Sequence, residues 1–233
     1  MELTRYLRKA GYDLIDSPVR NHKPGQLWLK TVFNRIELYY DDISMAFKSP
    51  VELNITEDPA LNVDTTKSNV YGFNIGVSML GDILKSSGLG NFDLSAKVKS
   101  GRKVSISYDN SVTKVLSMGE VGDYLSRADF IHPNPSLLRN ANRNHIILIS
   151  GVVFSKNLVV DIETDFNLDA KLMAELTKAA EGKLNFTMKS KQNLKMDTGG
   201  NSTFPVAIKA NRLDFDKGHY HGATLVSDNR NFF

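Results

Sequence analysis

Leu158-Val159-Val160-Asp161-Ile162-Glu163-Thr164-Asp165-Phe166-Asn167-Leu168-Asp169-Ala170-Lys171-Leu172-Met173-Ala174-Glu175-Leu176 obeys two secondary-structure codes at once. Taken at every second residue, Leu158, Val160, Ile162, Thr164, Phe166, Leu168, Ala170, Leu172, Ala174 and Leu176 form an apolar-leaning row opposite Asp161, Glu163, Asp165, Asn167, Asp169, Lys171 and Glu175. That period of two belongs to a strand with one dry and one wet face. From Asn167 onward the same letters also read as a helix, with Leu168, Leu172, Met173, Leu176 and Ala180 on one stripe, Asn167 as the cap and Gly182 as the stop. Fully extended, residues 158–176 would reach roughly 60 Å, whereas an ordinary strand has about 5–6 residues. A segment that can be a short helix in one state and a long amphipathic strand in another is expected in a protein that refolds to act.

Composition narrows the classes available. With 233 residues, 41% hydrophobic and 24% charged, the chain can bury a proper core as a single globular unit. A net charge of +3 is too mild to announce nucleic acid but is compatible with an anionic membrane surface. The absence of cysteine excludes disulfides, thiolate metal sites and a cysteine nucleophile. Residues 1–9 lack the apolar core of a secretory signal, which predicts folding in the cytosol, and three Asn-x-Ser/Thr triplets at Asn54, Asn185 and Asn201 are therefore read as chance. The longest apolar run, Ile146 to Phe154, falls well short of the roughly 20 residues of a transmembrane helix, so any membrane crossing must be made by strands.

Along the chain, residues 2–11 read as a basic amphipathic helix, with Leu3, Tyr6, Leu7 and Ala10 on one side and Arg5, Arg8 and Lys9 on the other. It either docks on a sheet or touches lipid headgroups. Leu27–Val32, Arg35–Tyr40 and Ile43–Phe47 read as strands, and residues 49–69 as a long loop. A strand–helix–strand unit follows: Tyr71, Phe73, Ile75 and Val77 alternate, a brief helix runs from Ser78 to about Gly88, and Phe92, Leu94, Ala96 and Val98 alternate again. Val104, Ile106 and Tyr108 form a strand, Ser117 to Glu120 a capping box opening a helix, and His132 to Asn144 a loop. The second strand–helix–strand unit comprises the long row, its helix and a return strand with Leu184, Phe186, Met188, Leu194 and Met196 opposite a lysine-rich side. Thr198 to Asn201 is a turn, Phe204 to Ala210 and Leu213 to Phe215 close the sheet, and the aromatic tail after Gly218 reads as separable.

Catalytic chemistry is missing. The five histidines are scattered, no serine sits in a Gly-x-Ser-x-Gly elbow, and Gly88-Leu89-Gly90 lacks the ending of a phosphate loop. His219 and His221 would share a strand face, but two ligands fall short of a functional zinc site. Asp161, Glu163 and Asp165 read as a solvated strand face. The sequence therefore predicts no enzyme, no metal and no cofactor.

The order of elements resembles the gasdermin family, in particular its compact bacterial members. The resemblance rests on Ile146 to Lys156 as the strand into a membrane hairpin, on Lys191-Gln192-Asn193-Leu194-Lys195-Met196 with a Gly-rich turn, and on Ser202 to Asp216 as the lysine-bearing closing strand. Leu7 to Ile15 is similar to the bacterial start. It implies an α+β fold, a twisted, mainly antiparallel sheet with short helices like a gasdermin N-terminal domain. It further implies a cytoplasmic protein held inactive, freed by an activating protease, and then forming a homo-oligomeric pore in the inner membrane during anti-phage defence. Residues 1–216 would be the pore-forming domain and 217–233 an autoinhibitory C-terminal peptide, or alternatively a last strand. Some bacterial members carry an acylated cysteine near the N-terminus, which this chain lacks.

On that reading the membrane-inserting hairpins use Tyr71, Phe73, Ile75, Val77, Phe92, Leu94 and Val98 in the first unit. The second contributes Leu158, Val160, Ile162, Phe166, Leu168, Leu172, Leu176, Leu184, Phe186 and Met188. Strands can enter hydrocarbon only as a closed barrel, so insertion must be coupled to assembly. Arg5, Arg8 and Lys9 would meet anionic lipid headgroups, and Leu225, Phe232 and Phe233 would latch the tail over the sheet, with cleavage near Gly218. The competing expectations are a soluble binding or scaffold domain, and a gasdermin-like protein activated by a partner variant without cleavage.

Overall fold

The computed structural model describes residues 3–15, 22–30, 36–60, 69–72, 81, 103–130, 134–163, 169–180, 184–199 and 203–226. In chain order it contains α1 (Leu3–Lys9), β1 (Asp13–Leu14), β2 (Leu27–Leu29), β3 (Glu37–Tyr40), β4 (Phe47–Lys48), β5 (Ile55–Pro59), β6 (Asn69–Gly72) and β7 (Lys103–Leu116). Then follow α2 (Met118–Ser126), β8 (Asp129–Phe130), α3 (Pro135–Asn142), β9 (Ile146–Glu163), α4 (Ala170–Ala180), β10 (Asn185–Ser190), β11 (Asn193–Asp197), β12 (Phe204–Asp216) and β13 (His219–Val226).

The 18-residue β9 is the spine of an 11-stranded antiparallel sheet, and β4 with β8 forms a separate two-stranded one. Along one edge of β9 lie β2, at residues 146–148, and then β7, from Gly151 to Glu163. Along the other lie β12, from Ile147 to Ser155, and then β11, from Val159 to Glu163. The outer edge of β12 is covered first by β1 and then by β13. The sequence of β9 records this change of environment. Ile146 and Leu148 enter a core under α2 and α3, while Ile147 and Ile149 enter one on the opposite face, so the run is apolar without alternation. From Leu158 only one face is buried and the letters alternate.

Several expectations change on the described residues, each for a local reason. Ile43–Met45 is a 3-10 turn instead of a strand, because the Asp42 side chain accepts from the Ser44 amide at 2.9 Å and offers the backbone an alternative to a ladder. Residues 49–69 contain β5, an edge strand on β7 whose residues are all exposed and therefore show no alternation of apolar letters. The supposed loop 132–144 contains α3: Asn134 accepts from the amides of Ser136 and Leu137 and Pro135 stands at the first helical position, a start signal legible in the sequence. Ser117 precedes α2 in extended conformation but makes no side-chain cap bond, so the capping box is not closed. For α4 the cap is Asp169, accepting from the Leu172 amide at 2.7 Å, in place of Asn167. The return strand 184–196 is broken at Lys191–Gln192 into a β10–β11 hairpin. Residues 204–216 form one strand, and β7 continues to Leu116.

Candidate membrane-active surface

One face of the sheet's distal half is dry. Leu158, Val160 and Ile162 are at most 1% exposed and share a cluster with Val104 and Ile106 of β7 and Leu194 and Met196 of β11. Among the described residues, α1 through Leu7 and α4 through Leu176 close this cluster. Leu184 is buried in it, and Leu172, Met173 and Phe186 are half-buried against it. The helix code and the strand code of the opening stretch are thus used side by side: β9 ends at Glu163, and the apolar stripe of α4 folds back over the row that precedes it. Met188, at 43% exposed, stands on the outer strand β10 in solvent.

The opposite face is wet and charge-matched. Lys195 stands opposite Asp161, Lys103 stands opposite Glu163, and the Lys189 ammonium reaches Asp161 at 2.5 Å. Such pairs favour this register by roughly 0.2–1 kcal/mol each. They hold the strands in order without closing the face to water.

Between the two halves of β9 sits a polar node that sequence reading missed. The buried Ser155 hydroxyl lies 2.7 Å from the carbonyls of Asp109 and Asn157 and accepts from the Asp109 amide at 3.2 Å. Buried Thr198 accepts from the Leu158 amide at 2.9 Å, and its hydroxyl lies 3.2 Å from Asn157 Oδ1. Asn110, beside this node, has a φ of 53, at the level where β9 passes from β12 to β11, and the β7–β9 register continues through it without a shift. A serine in an apolar run and a threonine in a turn carry no signal by themselves; only the strand crossing makes them partners.

The basic helix and the tail meet at the other end of the same surface. Arg5, Arg8 and Lys9 are exposed, with Arg8 3.7 Å from Asp13. The chain leaves α1 through Gly11, whose φ of 80 requires glycine. A methyl placed there would stand 3.3 Å from Cδ2 of Leu225 and 3.5 Å from Cε of Lys209, so β13 rests on the end of α1 although Leu225 itself is 40% exposed. β13 makes seven residue pairs with β12 across a tight turn at Lys217–Gly218, and the Gly218 amide donates to Asn142 at 2.7 Å. Tyr71 stands on β6 opposite Val104. Phe73, Ile75, Val77, Phe92, Leu94, Val98, Phe166, Leu168, Phe232 and Phe233 lie outside the described residues. Among the described residues there is no group of three or more His, Cys, Asp or Glu able to hold a metal, and no helix long and apolar enough to cross a membrane.

Tyr12, next along, lies across β9 at Gly151 with the Lys209 ammonium 5.9 Å from its ring centre. Burial pushes its hydroxyl up to about 12 from 10.0. Burial, and secondarily the charges of Asp42 and Asp214, also raise Tyr124 and Tyr220. The neutral phenol is favoured in the fold, so an unfolded chain loses this proton first. The contribution is complete below pH 10 and is lost as pH rises toward 12. Tyr12→Phe should flatten the fall in melting temperature across that window; an unchanged slope would assign alkaline sensitivity elsewhere.

A family model described as the Bacterial Gasdermin Family matches residues 15–219. The chain belongs to the bacterial gasdermins. Membership places it in a family of pore-forming effectors. Its fold is that of a bacterial gasdermin from Bradyrhizobium tropiciagri, with a TM-score of 0.65 at 15% identity over 96% of this chain and 91% of that one. The gasdermin A3 membrane pore aligns over 100% of this bacterial gasdermin and 99% of the other chain at 10% identity, with a TM-score of 0.37. No curated protein matches.

Proposed function

We propose that this bacterial gasdermin is a cell-death effector held inactive in the cytoplasm, released by a protease, and then assembled into a homo-oligomeric pore in the inner membrane, in defence against phage. The observation that carries the reading is the continuity of Leu158, Val160 and Ile162 with Leu172 and Leu176: one apolar row in sequence, folded back on itself so that both halves enter the same core. Straightened, that row faces lipid while Asp161, Glu163 and the lysines face water, as in a barrel strand. Strands 70–99 would supply the second hairpin, and Arg5, Arg8 and Lys9 the contact with anionic headgroups.

The restraint is placed in 217–233, acting through β13 on the end of α1. Burying a large apolar side chain is worth roughly 1.5–3 kcal/mol, so a few such contacts can hold a conformational equilibrium closed. Because Lys217–Gly218 is a packed, hydrogen-bonded turn, a cut there must also strip a paired strand, whereas a cut after Val226 would leave β13 in place. Dye release from anionic liposomes is therefore compared for full-length protein and for chains ending at residues 217 and 226. Release by either trimmed form, with sealed vesicles for the full chain, is the expected result. Release by the full chain would remove autoinhibition; sealed vesicles throughout would remove the pore.

A further inference from the structure

We infer that the β9–β11 ladder already sets the register of the membrane hairpin, which grows by continuing that ladder and turns at Lys178. This rests on the pore reading above and specifies its geometry. The antiparallel ladder pairs Val159 with Asp197, Asp161 with Lys195 and Glu163 with Asn193. Continued without a shift, it sets Asp165 against Lys191, Asn167 against Lys189 and Lys171 against Asn185 on the wet side. On the dry side it sets Leu168 against Met188, Ala170 against Phe186 and Leu172 against Leu184, converging on Lys178. From Leu168 to Leu172 apolar residues meet apolar ones, and Lys189, Lys191 and Lys195 each meet an acid or an amide, while Phe166 falls opposite Ser190 and Met173 opposite Lys183. The dry row on the descending strand, 166–176, matches the about 9–11 residues a membrane strand requires.

Other registers lose this match. A one-residue slip sets every apolar residue against the wet row. The strongest local turn signal, Glu181-Gly182, offers an even-numbered alternative centred on Glu181, but on the wet side it sets Asp165 against Asp197 and Lys171 against Lys191, like charges directly opposite each other. It would also require the existing ladder, with its Asp161–Lys195 and Glu163–Asn193 pairs, to slide.

The growth is a strand exchange. In the folded form β10 pairs with β11, Thr187 opposite Lys195 and Phe186 opposite Met196, and is bent back at Lys191–Gln192. Straightening that bend takes β10 off β11 and gives it residues 165–171, now extended, as its new partner. β11 keeps its place on β9 throughout, so the ladder acts as the template.

The chain has no cysteine, so paired cysteines report register directly. Lys171, Asn185 and Lys191 are all exposed in the folded form and tolerate replacement. Lys171→Cys with Asn185→Cys should form an intramolecular disulfide in vesicle-bound, trimmed protein, read by mass spectrometry of the linked peptides, and more readily there than in the soluble full chain. Lys171→Cys with Lys191→Cys, the pair that a Glu181 turn would bring together, should remain reducible thiols. Leaking vesicles with the second pair closed would overturn the register while leaving the pore standing. Vesicles that never leak for any trimmed form remove both. Asp169→Cys with Thr187→Cys provides the same register from an independent position.

Discussion

Leu172→Asp in the trimmed protein should reduce liposome leakage from complete release to the level of untreated vesicles, while the folded protein keeps its far-ultraviolet circular dichroism. Leu172 is half-buried at the margin of the distal core, so a carboxylate there can turn toward water and costs only part of the roughly 1.5–3 kcal/mol of a buried leucine. In a lipid-facing strand near the bilayer middle the same carboxylate has no such escape. Penalties of roughly 2.5–3.5 kcal/mol apply to Asp at the centre of a spanning helix, and every subunit of a ring would bear a comparable cost. Leu176 is the wrong probe for this test. It is 0% exposed in the same cluster, and Leu176→Asp would bury an unpaired charge in the soluble fold and abolish leakage by unfolding. Full leakage by Leu172→Asp would exclude residues 170–180 from the lipid-facing surface.

Gly151→Ala should be among the most destabilising single-methyl additions in the molecule. A Cβ at position 151 would stand 2.9 Å from the Tyr12 hydroxyl, 3.3 Å from its ring and 3.3 Å from Cβ of Lys209. Tyr12 is 9% exposed and belongs to the distal core, so it cannot simply swing away. Overpacking of this kind costs about 1–3 kcal/mol, which for a chain of this length lowers the melting temperature by roughly 2–12 °C. Tyr12→Phe removes the closest atom and should recover part of the loss in a double-mutant cycle; independence of the two changes would mean that the backbone at 151 moves instead. Because Tyr12 lies just past the basic helix and beside the residues on which β13 rests, this contact also couples the spine of the sheet to both ends of the chain.

The spine and its apolar row are legible in the amino-acid sequence, because alternation over Leu158 to Ile162 has a single physical reading and Ile146 to Ile149 can only be buried on both sides. The short helix after it is legible from its stripe, but the letters place its cap two residues early: Asn167 and Asp169 are both good caps, and only the hydrogen bond to the Leu172 amide decides between them. β5 is hidden because its side chains are all exposed, and the β10–β11 bend is hidden because the apolar row, interrupted at Ser190 and Gln192, resumes on the same even-numbered phase at Leu194. The Ser155–Thr198 node has no signature in the letters, since its members lie 43 positions apart in the chain and acquire meaning only where β9 changes neighbours.

From the letters alone came the periodicities: a strand with one dry face, a helix written over its continuation, a basic helix at the start, and the absence of thiols and of catalytic constellations. These are local properties, set by which side chains prefer water and by the two repeats a backbone can adopt. What the tertiary structure decided is which copy of the apolar row covers the other, that β13 is paired into the sheet while leaning on Gly11, and that Asp161 faces Lys195. Those outcomes depend on strand register and on contacts between distant residues, and pairing energies of that kind are summed over the whole sheet instead of being carried by any one segment.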